Sequence, residues 1–110
     1  VFIHYFSDVQ QDHISANKIS LVASRYCKNI IYYKSNRYNS PIPFNPNIYV
    51  DITDYYEKKS NALEQYSSEH NRFSQLFKQT LLQNEVDGYS SLPTEQGSYA
   101  EAFVAYKIRI

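Results

Sequence analysis

Hydrophobic and polar positions change period several times along this chain, and each change marks the end of one element and the start of another. Val1-Phe2-Ile3-His4-Tyr5-Phe6 is β-rich, lacks helical periodicity and stops at Ser7-Asp8. From Asp12 onward Ile14, Ala16, Ile19, Val22, Ala23 and Tyr26 recur at near-helical spacing, which predicts one face of an amphipathic helix running to about Cys27. Asn29-Ile30-Ile31-Tyr32-Tyr33-Lys34 then reads as a short buried strand. Strand, crossover helix and strand in this order predict a parallel βαβ unit, and with it an α/β sheet.

The second half continues the pattern. Ser35 to Asn47 reads as loop, marked by Asn36, Asn39, Pro41, Pro43 and Pro46, and Ile48-Tyr49-Val50-Asp51-Ile52 as a strand. Thr53 and Asp54 are expected to cap the next helix, Glu57 completing a capping box with Asp54, and that helix carries Lys58, Ala62, Leu63 and Tyr66. A polar break at Ser67-Ser68 precedes a further helix with Phe73, Leu76, Phe77 and Leu81-Leu82, ended by Asp87-Gly88. Ser90 to Gly97 is loop, and Glu101 to Ile110 closes the chain as an imperfectly alternating strand. Neither an internal repeat nor an inter-domain linker interrupts this order, so residues 1–110 are expected to form a single domain.

Composition narrows the classes of function. A chain of 110 residues supports one modest core, and its 12 Tyr and 6 Phe favour folding over disorder. Eleven basic and eleven acidic residues cancel, which leaves no electrostatic footprint for nucleic acid or an anionic membrane. No apolar run approaches a membrane span and no signal-peptide layout is present. Cys27 stands alone, which excludes an internal disulfide and suits a reducing, cytoplasmic setting. The chain has no Met and its first residues already read as strand, so it is expected to be the C-terminal part of a larger domain.

Candidate chemistry concentrates in Gln10-Gln11-Asp12-His13, at a strand-to-helix junction where α/β folds place their sites. His13 offers a metal-ligating nitrogen and Asp12 a carboxylate beside it, yet catalytic zinc needs three protein ligands. The same residues also read blandly, His13 as a helix-start histidine and Asp12 as a carboxylate favoured by the helix dipole. His4 and His70 read as structural, Asp51 and Thr53 as capping residues, and Cys27 lacks the basic surroundings of a nucleophile.

Ser7 to His13, Phe44 to Thr53, Lys59 to Ser68 and Gly97 to Phe103 are four segments that, in this order, resemble the PIG-L/LmbE-like N-acetylglucosaminyl deacetylases. Ser7 to His13 resembles that family's second motif, His-x-Asp-His with an Asp two residues upstream, as Asp8 is here. Phe44-Asn45-Pro46 leading into Tyr49-Val50-Asp51-Ile52-Thr53 is similar to its strand into an Asp-Ile-Thr helix start. Lys59, Ala62-Leu63 and Tyr66-Ser67-Ser68 resemble its Lys-x-x-Ala-Leu-x-x-Tyr-x-Ser helix, and Gly97 to Phe103 its Tyr-x-Glu-x-Phe strand. The resemblance implies a Rossmann-like, mostly parallel sheet flanked by helices, and zinc-dependent hydrolysis of an N-acetyl group from an amino sugar or related conjugate. It implies His13 as a metal ligand, Asp12 as its catalytic-site neighbour, and Glu101 and Tyr99 near the substrate. The family's first motif, with the remaining ligands and the base, lies outside this sequence. Gln10 stands where the family has a His that stabilises the oxyanion and protonates the leaving amine, and an amide cannot deliver that proton. The alternatives are a weakened or inactive member acting as a carbohydrate-binding or interaction module, and a half-domain that pairs with its N-terminal portion or with a second copy as a homo-oligomer.

Overall fold

A computed structural model of the chain describes residues 1–35, 38–91 and 97–110, and of 67–74 the backbone only. Among the described residues the elements follow in the order β1 (Phe2–His4), α1 (Gln11–Ala23), β2 (Ile30–Tyr33), β3 (Ile48–Asp51), a 3-10 turn (Thr53–Tyr55), α2 (Tyr56–Glu64), α3 (Ser67–Ser91) and β4 (Ala100–Lys107). The chain divides into two compact units, Val1–Ile48 with Ala102–Ile110, and Tyr49–Glu101, and the boundaries fall inside β3 and β4.

The α/β expectation holds, but the sheet is mixed where the sequence suggested a mostly parallel one. Its order is β1-β2-β4-β3. β1 and β2 run parallel in the register Phe2↔Ile31, Ile3↔Tyr32, His4↔Tyr33, as the single helix between them requires. β4 runs antiparallel to β2, with Ile31 opposite Ala105 and Tyr32 opposite Val104. The bonds from Asn47 N to Phe103 O and from Ile52 N to Tyr99 O show β3 and β4 antiparallel as well. The physical reason lies in the connections. The single helix α1 joins β1 to β2, whereas α2 and α3 in succession join β3 to β4, so the one-helix crossover that makes a parallel pair is not repeated there. Strand patterning carries no information on strand direction.

In the first unit Ile3, Tyr5, Ile30 and Tyr32 form the buried core, with Leu21, Cys27, Phe44 and Val104 packed against it. The Tyr5 hydroxyl reaches Pro43 O at 3.0 Å, so its one polar atom is satisfied. α1 forms where expected but ends at Ala23, and the face it buries differs from the predicted one. Ile19, Val22 and Tyr26 are exposed while Asn17 is only 4 % exposed. Asn17 is buried because its amide donates to the carbonyl oxygen of His4 at 2.6 Å, tying the helix to the end of β1.

In the second unit three boundaries depart from expectation. Asp54 and Glu57 form no capping box: no side chain caps α2. Asp51 Oδ1 instead accepts the Thr53 amide at 2.9 Å and its hydroxyl at 2.6 Å, an Asx-type turn that leads into the 3-10 turn. The break between α2 and α3 falls at Gln65-Tyr66, two residues earlier than expected. Phe73 and His70 lie within α3, but their side chains are outside the described residues, as are 92–96 of the expected loop. α3 runs through Gly88 to Ser91. Gly88 does not end the helix; a Cβ there would lie 2.1 Å from the Ser98 carbonyl oxygen, so its lack of a side chain permits a close backbone approach. Asn84, buried one turn earlier, donates to Ala100 O at 3.0 Å on the same face.

Candidate functional site

The parallel pair positions a polar cluster at the carboxyl ends of its strands, the place where open α/β sheets bind ligands. β1 ends at His4, and the following loop carries Asp8 into the start of α1, where His13 lies in the first turn. β2 ends at Tyr33, and Ser35 follows two residues later. These loops bring together side chains far apart in sequence. His13 Nδ1 lies 3.1 Å from Asp8 Oδ2 and 2.9 Å from Ser35 Oγ, and Ser35 Oγ lies 3.4 Å from the same Asp8 oxygen.

Asp8 organises this cluster with both its oxygens. Oδ1 accepts the backbone amides of Val9 and Gln10, at 2.6 and 2.9 Å, which shapes the loop entering α1. Oδ2 faces His13 and Ser35, and the Asp8 side chain is only 5 % exposed against 19 % for His13. The His4 ring stacks on His13 with centroids 4.6 Å apart and planes 17° from parallel. His4 also contacts Tyr33, at 4.8 Å between centroids. Burial, and next the neighbouring His13, hold the pKa of His4 below the ordinary 6.5; Asp8 and Asp12 oppose this more weakly. His4 Nδ1 is buried without a hydrogen-bond partner among the described residues.

The arrangement is not a nucleophilic relay. In a nucleophile–base–orienter array, the serine and the carboxylate occupy opposite nitrogens of the imidazole. Here Ser35 and Asp8 share Nδ1, so His13 cannot accept the Ser35 proton while Asp8 holds its far side. The chemistry left is that of an oriented imidazole whose Nε2 makes no hydrogen bond to any described residue. A carboxylate on the other nitrogen is the usual support of a metal-ligating histidine. Among the described residues no three His, Cys, Asp or Glu side chains are grouped to hold a metal ion. These residues therefore fit one zinc coordination position and not a whole zinc site.

The other sequence candidates take distinct places. Asp12 is exposed and its Oδ1 accepts the His13 backbone amide at 3.0 Å, so the carboxylate on the ring is Asp8. Gln10 is the residue preceding α1; its carbonyl accepts Ile14 N at 3.0 Å, and its side chain caps nothing. Tyr99 and Glu101 belong to the second unit. The Tyr99 ring stacks on Tyr56 at 3.6 Å, and Glu101 pairs with Lys59 Nζ on the wall of a cleft of about 300 Å³, lined also by Ile52, Tyr55, Lys58 and Ala62.

The sequence singles out His13 and includes Asp8 in the resembled motif without a role of its own, while Ser35 and His4 go unmarked as working parts. Asp8 could have been found from its place in a short loop between strand and helix. Ser35 carries no sequence signal beyond following a strand of a parallel pair. No helix among the described residues is long and apolar enough to cross a membrane. No protein-family model, curated protein or solved structure matches the chain.

Proposed function

We propose that the chain is the C-terminal part of a PIG-L/LmbE-like deacetylase that removes an N-acetyl group from an amino sugar or related conjugate in the cytoplasm. The observation that carries this reading is His13 at the carboxyl end of the parallel pair, with Asp8 on Nδ1 and Nε2 left over. Zinc, when bound in such an enzyme, polarises the acetamide carbonyl and activates water. This chain contributes His13 as one ligand, and Asp8 and Ser35 hold its ring. Gln10 can donate a hydrogen bond to an oxyanion but cannot protonate the leaving amine. The finer features implied by the resemblance, a Rossmann-like core and substrate contacts from Glu101 and Tyr99, belong to this proposal and rest on the four ordered segments. The test is acetate release from N-acetylglucosamine conjugates by the intact protein loaded with zinc, against its His13→Ala variant. Loss of both zinc binding and acetate release supports the reading. Equal turnover by the two proteins refutes it.

Gln10 favours a second reading, a member that has lost turnover and retains carbohydrate binding. Glycan binding that survives chelation of metal, with no acetate released, supports this alternative.

A further inference from the structure

The geometry around His13 contains more than a histidine near a carboxylate. Three groups bear on one ring: Asp8 Oδ2 and Ser35 Oγ in contact with Nδ1, and the His4 ring on its face. Neutral imidazole carries its proton on either nitrogen, and the surroundings decide which. An ionised carboxylate can only accept, so a lone pair on Nδ1 would face the Asp8 oxygen at 3.1 Å in repulsion. With the proton on Nδ1, the same distances become an N–H shared between Asp8 Oδ2 and Ser35 Oγ, while the Ser35 hydroxyl turns toward Asp8 Oδ2 at 3.4 Å. Only one of the two tautomers satisfies all three groups.

We infer that Asp8 and Ser35, braced by the stacked His4 ring, are positioning residues that fix His13 as its Nδ1–H tautomer and leave the lone pair on Nε2. Asp8 is suited to this because its other oxygen is fastened to the amides of Val9 and Gln10, so the carboxylate cannot swing away without opening the loop. Stacking against His4 restricts rotation of the His13 ring out of this plane. That this lone pair serves a metal rests on the deacetylase reading above; the tautomer itself does not.

The test is two-bond proton–nitrogen correlation NMR of the histidine rings in the full 15N-labelled chain, with chelator present and at a pH where His13 is neutral. The expected spectrum shows His13 Nδ1 protonated and Nε2 unprotonated, and Ser35→Ala keeps this pattern because Asp8 remains. Asp8→Ala shifts the proton toward Nε2, and Asp8→Asn, which retains an acceptor oxygen, restores part of the original pattern. A wild-type ring protonated on Nε2, or one averaging between tautomers, overturns the inference even if the variants fail to fold. Zinc titration of the intact protein, which on the deacetylase reading carries the remaining ligands, and of its Asp8→Ala variant then separates the two readings. A 10- to 100-fold weaker affinity in Asp8→Ala, the usual consequence of losing such a partner, supports both. The expected tautomer in a protein that binds no zinc supports the inference and counts against the deacetylase.

Discussion

Replacing Gly88 by alanine sets two effects of opposite sign against each other. Within a helix interior, alanine is favoured over glycine by about 1 kcal/mol, so on propensity alone the change stabilises α3. The structure reverses that expectation. The new Cβ would lie 2.1 Å from the carbonyl oxygen of Ser98, 2.5 Å from its carbon and 2.9 Å from the Tyr99 Cα. All three are backbone atoms, so no rotamer change relieves the clash, and ordinary contact requires the 98–99 segment to retreat by roughly 1 Å. Such a shift costs about 1–3 kcal/mol as overpacking. It also strains the buried bond from Asn84 Nδ2 to Ala100 O one residue further on, and a buried amide without its partner costs a further ~1–3 kcal/mol. The net expectation is a loss of about 1–5 kcal/mol, or a fall in Tm on the order of 10 °C. Urea unfolding followed by far-ultraviolet circular dichroism reads this as a lower midpoint at unchanged slope. Gly97→Ala serves as the contrast. A Cβ there meets nothing within 4 Å, but φ is +73°, so only the left-handed backbone cost of about 1–2 kcal/mol applies. A Gly88→Ala protein as stable as the wild type, or more so, would refute the close-approach argument.

Asn17→Ala should lower stability by about 1–3 kcal/mol in the same assay, because the His4 carbonyl loses its 2.6 Å partner at a buried position. Lys59→Met should change stability by less than about 1 kcal/mol, since its pair with Glu101 is partly exposed and screened by solvent. The hydroxyl and then the amide of Thr53 hold the Asp51 carboxyl below its ordinary 3.8. With the folded value depressed, this contribution is complete above the ordinary value and is lost as pH falls through the folded one; Asp51→Asn should flatten the stability profile below about pH 4. On the deacetylase reading, Gln10→His should raise acetate release on the order of a hundredfold, the scale of one oxyanion donor, and an unchanged rate would remove Gln10 from the site.

The elements legible in the sequence were those whose signal is local. The β-rich run at Val1–Phe6 and the β-branched run at Asn29–Lys34 both contain strands, and the helix between them made the parallel pair predictable. What failed depends on residues distant in sequence. The apolar stripe Ile19, Val22 and Tyr26 reads as a core face, yet Asn17 is buried instead, because the polar atom it must satisfy belongs to a strand thirteen residues earlier. Gly88 reads as a helix end because the chain segment pressed against it, at Ser98, is invisible to local pattern. The site divides the same way. His13 could be singled out from its place at a strand-to-helix junction, whereas Ser35 joins it across a separation of 22 residues that only the βαβ register closes. Asp12, the nearer carboxylate in sequence, gives an oxygen to the His13 backbone amide, and the carboxylate facing the ring is Asp8.

The cluster draws on one parallel pair alone. Within the first unit, β1, α1 and β2 place both contributing loops at the same end of the sheet, because parallel strands end side by side. An antiparallel neighbour such as β4 begins where β2 ends, so it cannot deliver a second carboxyl-terminal loop to that place. The mixed sheet therefore leaves the chemistry of the βαβ unit intact, although it departs from the mostly parallel expectation. It also makes Asp8 hard to replace. One oxygen shapes the loop through the amides of Val9 and Gln10 while the other faces His13, so the residue that builds the entry to α1 is also the one that orients the imidazole. A glutamate at this position has the charge but an extra methylene, and cannot reach both sets of donors from the same backbone. It should lose the His13 orientation even where the fold persists.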